Sequence, residues 1–131
     1  MCPYINGTWP ADHLPSSSDN DGIFITVGSN LIPMGYGIEH LEEKNPVAWP
    51  GFATVDDVAA FPPTMVNVNE CDPLRDEGIE FYRLLLSAGV KAHCRQVMGT
   101  MHAADLFVSA FPDLARMTAR DIRSWVDECQ S

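Results

Sequence analysis

Between Val66 and Ala103 the chain reads VNVNECDPLRDEGIEFYRLLLSAGVKAHCRQVMGTMHA, and no other stretch restricts the fold as tightly. Thr64 to Asn69 predicts a buried strand, with Met65, Val66 and Val68 held between Pro63 and Glu70. Asp72-Pro73 stops it, because proline has no amide to continue a ladder. Asp76 and Glu77 then fall where the first turn of a helix favours carboxylates. That helix runs to about Ala88, with Ile79, Tyr82, Leu85 and Leu86 inward and Gly89 as its C′ residue. Val90 to Val97 follows as a second strand, with Val90, Ala92, Cys94 and Val97 inward. Strand, helix, strand in this order predicts parallel pairing and an α/β fold, parallel strands with flanking helices.

In an open parallel sheet, ligands gather at the carboxyl ends of the strands. Asp72 follows the first strand and His102 the second, and neighbouring strands lie about 4.8 Å apart. A carboxylate and an imidazole so placed can hydrogen-bond. The acid would then fix the histidine tautomer and stabilise the imidazolium formed when a nucleophile gives up its proton. Plainer readings stay open at this point. Aspartate before proline is a common turn or helix-entry residue, and a loop histidine can have no chemical task. His13, His40 and His93 have weaker claims, and His93, Cys94 and His102 lack metal-ligand spacing, so neither a metal nor a cofactor is expected.

Ahead of this unit, Cys2-Pro3-Tyr4-Ile5 reads as the end of a strand turned off by Asn6-Gly7. Thr8 to Gly22 reads as loop, with Ser16, Ser17 and Ser18 solvated rather than nucleophilic. Ile23 to Val27 is an apolar run of open type. Ser29 to Glu43 predicts a broken or short helix through Leu31, Met34, Ile38 and Leu41, interrupted by Pro33, Gly35 and Gly37. Asn45 to Gly51 predicts a rigid loop about Trp49, and Thr54-Val55-Asp56-Asp57 caps a single helical turn. After His102, a turn from Asp105 to Phe111 leads to a last helix from Asp113 to about Cys129. Its apolar stripe is Leu114, Met117, Ile122, Trp125, Val126 and Cys129.

A chain of 131 residues sets a prior of one domain. With 18 acidic and 8 basic side chains the formal charge is −10, which disfavours nucleic acid and anionic membranes as partners. No apolar run approaches the roughly 18 residues of a membrane span, and no signal-peptide pattern opens the chain. Cys2, Cys71, Cys94 and Cys129 lack the spacing of a disulfide framework, so buried free thiols in a reducing, cytoplasmic setting are expected.

Residues Asp72-Pro73-Leu74-Arg75-Asp76-Glu77-Gly78 resemble, letter for letter, the acid segment of the hormone-sensitive-lipase-like esterases of the α/β-hydrolase fold. Gly99-Thr100-Met101-His102-Ala103 is similar to the histidine segment of that family, which commonly has glycine where Ala103 stands. The spacing of acid and histidine, 102 − 72 = 30 positions, also suits it. Asn45 to Pro50 and Phe61-Pro62-Pro63 look like its loop and the entry to its penultimate strand. The resemblance implies that Asp72 and His102 are the acid and base of a Ser–Asp–His triad. It further implies that residues 8–58 form an insertion shaping an acyl pocket, with Met34, Trp49 and Phe52 as lining candidates. Residues 59–131 would carry the acid- and histidine-bearing strands and the last helix.

Family members also carry a G-x-S-x-G nucleophile elbow and an H-G-G-G-type oxyanion segment, and neither occurs in these 131 residues. Gly28-Ser29-Asn30 is the nearest match and lacks the second glycine. The expectation is therefore the C-terminal portion of a carboxylic-ester hydrolase that begins just downstream of the nucleophile. Such a chain is inactive alone and acts on a small ester once a complementing N-terminal chain, or a homo-oligomer, completes it. The competing expectation is a noncatalytic binding module on a hydrolase-derived scaffold.

Overall fold

Valine at alternate positions builds the centre of the molecule. In the computed structural model, which describes residues 1–28 and 31–130, strand β1 (Thr64–Cys71) sends Val66 and Val68 into one face. The elements in chain order are α1 (Ser16–Asp19), α2 (Leu31–Tyr36), α3 (Ile38–Glu42), a 3-10 turn (Pro50–Phe52), α4 (Val55–Val58), β1, α5 (Arg75–Ser87), β2 (Ala92–Met101), a second 3-10 turn (Ala104–Leu106) and α6 (Pro112–Gln130). Strands β1 and β2 pair in parallel, from Thr64 opposite Ala92 to Asn69 opposite Val97. Both strands run longer than the sequence pattern indicates, because the pairing continues through polar residues that end each hydrophobic run.

Helix α5 covers one face of this pair. Its Leu85 is fully buried with Val58, Val66, Val68 and Val90, and Ile79, Phe81, Tyr82 and Leu84 pack around them. Leu86, expected inward, is 47% exposed, since the helix turns Leu84 and Leu85 toward the sheet instead. Gly78 lets the helix approach closely: a Cβ there would lie 2.6 Å from Val68 Cγ1 and 2.9 Å from Pro3 Cγ. The helix ends as expected at Gly89, whose φ is +76°. The Gly89 amide donates to Leu86 O and the Val90 amide to Leu85 O, both at 3.0 Å, which satisfies two terminal carbonyls.

Helix α6 lies against the other face, where Lys91, His93 and Arg95 point by strand alternation. The attachment is polar and aromatic. Arg95 donates to Thr118 Oγ1 at 2.7 Å and pairs with Asp121, Lys91 pairs with Glu128, and the His93 ring stacks on Trp125. This register corrects the expected stripe. Thr118 is the buried residue of α6, whereas Met117, Ile122 and Val126 are at least 38% exposed.

The segment before β1 differs from expectation in one important place. Ser16 and Ser17, read as solvated loop, are buried in a one-turn helix that grips the start of α5. Cys2 to Ile5 forms no strand, although the Cys2 amide donates to Asn67 O at 2.9 Å on the open edge of β1. The broken helix is found as α2 and α3 with Gly37 between them, and Thr54 caps α4 in a reciprocal capping box. Ser29 and Asn30, the serine nearest an elbow pattern and its neighbour, lie outside the described residues. Among the described residues, no helix is long and apolar enough to cross a membrane.

Candidate active site

A break in strand register delivers the histidine. Asn69 pairs with Val97, but the next pair is Cys71 with Met101, so β2 spends three residues where β1 spends one. Gly99 supplies the positive φ of +69° that this bulge requires. Side chains then hold it shut. The Gly99 amide donates to Glu70 Oε2 at 2.6 Å, Thr100 Oγ1 donates to Val97 O at 2.7 Å, and Asn69 Nδ2 donates to Thr100 Oγ1 at 2.8 Å. His102 emerges directly after the bulge.

Asp72 arrives from the end of β1. Its side chain is completely buried, and the Leu74 amide donates to Oδ1 at 2.9 Å. The other oxygen, Oδ2, lies 3.0 Å from His102 Nδ1. A carboxylate can only accept, so this contact places the proton on Nδ1 and leaves Nε2 as the acceptor. The acid loop is itself fastened from outside the strand. Asn20 Nδ2 donates to Asp72 O at 3.2 Å and to Glu70 O at 3.0 Å, and Ser16 Oγ donates to Pro73 O at 3.1 Å.

His102 sits at the wall of a cavity of about 810 Å³. Tyr4, Ile25, Val27, Tyr36 and Trp49 give that cavity a mainly apolar lining. Trp49 is among the residues that line this cavity and is 2% exposed. Met34 is 66% exposed and Phe52 packs beside Trp9, Val27, Trp49 and Leu74; neither is among the residues that line the cavity. Tyr36 and Tyr4 were not singled out from the sequence. Their signal was available in part, since both are aromatics, Tyr4 in a segment read as a strand end and Tyr36 in one read as a broken helix.

Cys2 is the other residue that sequence reasoning missed. Its Sγ donates to Asn69 Oδ1 and accepts from the Ala103 amide, each at 3.3 Å, which brings it beside Asp72 and His102. Burial pushes its thiol up to about 12, opposed by the Ala103 amide and aided by the charges of Asp72 and Asp105. Ala103 adopts a left-handed conformation, φ 55° and ψ 22°. Glu77 lies in the first turn of α5, and it is buried there. It accepts the Asn6 amide at 2.8 Å, and desolvation raises it to about 8.

A parallel α/β pair with an acid and a histidine on adjacent strand ends, above an apolar cavity, defines an open-sheet hydrolase scaffold. The profile of the alpha/beta hydrolase fold matches residues 3–106, and the chain belongs to that family. Within it, the chain is similar to esterase Est22, at 56% identity and a TM-score of 0.91, over 98% of this chain and 37% of Est22. It is also similar to brefeldin A esterase, a bacterial homologue of human hormone-sensitive lipase, at 39% identity and TM-score 0.88, over 98% of this chain and 38% of that one. A carboxyl esterase of the mycorrhizal fungus Tuber melanosporum is more distant, at 28% identity and TM-score 0.60, over 78% of this chain and 34% of that one. The resemblance to hormone-sensitive-lipase-like esterases is thus borne out. The chain spans less than two-fifths of the length of these esterases. No curated protein sequence matches it.

Proposed function

We propose that this chain supplies the acid and the base of a carboxylic-ester hydrolase, Asp72 and His102, while the serine and the oxyanion donors come from backbone outside these 131 residues. The observation that carries the reading is the 3.0 Å contact between Asp72 Oδ2 and His102 Nδ1 at the wall of the apolar cavity. His102 Nε2 takes the proton of the serine as it attacks the acyl carbon and returns it to the leaving alcohol. In the second half it activates water against the acyl-enzyme. Asp72 keeps Nδ1–H donated throughout and balances the transient imidazolium charge.

The acyl group of a small ester is assigned to the cavity, against Trp49, Tyr36 and Val27. Residues 8–58 act as the segment that shapes it, with Phe52 packed beside Trp49, and residues 59–131 carry the relay. This reading requires a serine and oxyanion donors from outside these 131 residues, supplied upstream in the same polypeptide, by a complementing N-terminal chain or by a homo-oligomer, and a reducing, cytoplasmic setting agrees with four free cysteines. The absence of G-x-S-x-G and H-G-G-G from the sequence supports the division of labour.

The test is a chimera in which this chain replaces the matching segment of Est22. Hydrolysis of a short p-nitrophenyl ester is expected from the chimera and not from the 131-residue chain alone. Activity that survives His102→Ala in the folded chimera would sink the proposal.

A further inference from the structure

We propose that Cys2, Asp72 and His102 form a three-donor site for a thiophilic divalent cation of the zinc and cadmium class. One sulfur, one carboxylate oxygen and one ring nitrogen of these residues lie within 4.8 Å of one another. Zinc bonds run about 2.3 Å to sulfur and about 2.0–2.2 Å to nitrogen or oxygen, so at the tetrahedral angle two donors sit about 3.4–3.6 Å apart, roughly 1 Å closer than the widest separation here. The donors therefore need only a short closing movement. Sulfur with imidazole selects zinc or cadmium over magnesium and calcium, which want oxygen alone. Three protein donors leave the fourth tetrahedral position to water.

Three further observations separate this site from a chance cluster. First, the two anionic donors each hold a backbone amide that stabilises the metal-bound form: Ala103 N–H on Cys2 Sγ and Leu74 N–H on Asp72 Oδ1. Second, the Asp105 carboxylate is 5% exposed, its charge reaches Cys2, and its Oδ1 has no hydrogen-bond partner among the described residues. A buried carboxylate in the site and a second one, Asp105, three residues after His102 leave negative charge that a cation would balance. Third, the His102 side chain is 21% exposed, so an ion can enter from the cavity side.

Binding has a defined proton balance. The Sγ–H proton leaves to solvent as the sulfur–metal bond forms. The imidazole proton moves from Nδ1 to Nε2, since Nδ1 now donates its lone pair to the cation. The ring stays neutral, and one proton is released per ion. The consequence for catalysis rests on the function proposed above: a His102 with hydrogen on Nε2 cannot accept a proton from serine, so the occupied site is an off state.

The experiment is cadmium titration of the purified 131-residue chain, read by the ultraviolet thiolate-to-cadmium charge-transfer band. One ion per chain is expected, and Cys2→Ser should abolish the band. His102→Ala should weaken binding at least about tenfold, since even changes to outer-shell partners cost about 10–100-fold. Cys94→Ser should leave it intact. A band undiminished in Cys2→Ser, or no saturable band in the wild-type chain, overturns the proposal. As a check that needs no variant, saturating zinc should shift the His102 imidazole resonances, and unmoved resonances also overturn it. A chimera that is inactive while cadmium still binds would defeat the proposed function alone. An active chimera that binds no cadmium would defeat this inference alone.

Discussion

Ser16 and Asp76 grip each other across 60 positions of sequence: the Ser16 amide donates to Asp76 Oδ2 at 2.7 Å, and the Asp76 amide donates to Ser16 Oγ at 3.0 Å. This is the reciprocity of a helix capping box, but it is made between separate segments. It satisfies the Asp76 amide near the start of α5 and ties α1 to the loop that carries Asp72. Arg75, pairing with Asp76 at 2.8 Å, adds to the same anchor and holds that carboxyl below its ordinary value against the desolvation that would raise it.

Ser16→Ala strands the Asp76 amide in a partly buried place and removes the bond to Pro73 O. A loss of about 1–3 kcal/mol is expected. Ser18→Ala, on the exposed side of α1, should change stability by no more than about 0.5 kcal/mol. Urea denaturation of both variants makes the comparison.

Asp72→Asn keeps the size of the side chain but presents a donor or a weaker acceptor to Nδ1, so the histidine tautomer is no longer enforced. In the Est22 chimera, kcat should fall about ten-thousand-fold while KM stays near its starting value. Steady-state kinetics on the p-nitrophenyl ester decide the matter.

Ala103 occupies a left-handed conformation that costs an L-residue about 1–2 kcal/mol. Ala103→Gly removes that strain and adds freedom to the unfolded chain, for a net gain of about 0.5–1 kcal/mol. A higher thermal midpoint, with the Cys2 Sγ contact to this amide retained, is the expected result.

Glu77 imposes a pH dependence whose sign is set by its raised value. The folded chain holds a proton up to about 8, whereas the free side chain releases it near 4.5. Between those values the folded state binds the extra proton, so stability falls as pH rises. The slope is at most about 1.4 kcal/mol per pH unit for one proton. It is fully favourable below the lower value and flat above the upper one. Glu77→Gln should flatten this part of the profile, measured as urea midpoints at about pH 5 and about pH 8.

Hydrophobic period and turn chemistry made β1, α5, Gly89 and the parallel pairing legible in the chain. They act locally, through Val66, Val68, Leu85 and the proline after Asp72. Burial through long-range hydrogen bonds was not legible. Ser16 looks solvated in sequence because serine usually is, and only its partners Asp76 and Pro73, far along the chain, make its burial favourable; Ser17 is satisfied locally by Ala11 and Leu14. What holds for Ser16 holds for Cys2, whose place beside His102 is set by bonds to Asn67 O, Asn69 Oδ1 and the Ala103 amide, all far along the chain. On α6, the stripe of Leu114 to Cys129 marks a helix but not which side meets β2. Arg95 and its partners Thr118 and Asp121 set that rotation instead.

The two oxygens of Asp72 are committed to different neighbours, Oδ1 to the Leu74 amide and Oδ2 to His102 Nδ1. A carboxylate is a rigid plane, so it works as a rocker arm between the N-cap of α5 and the imidazole. A shift of that helix start moves the same carboxylate that orients the ring. The aim of His102 is therefore a mechanical property of α5 as much as of β2, and wear on one should be audible in the other.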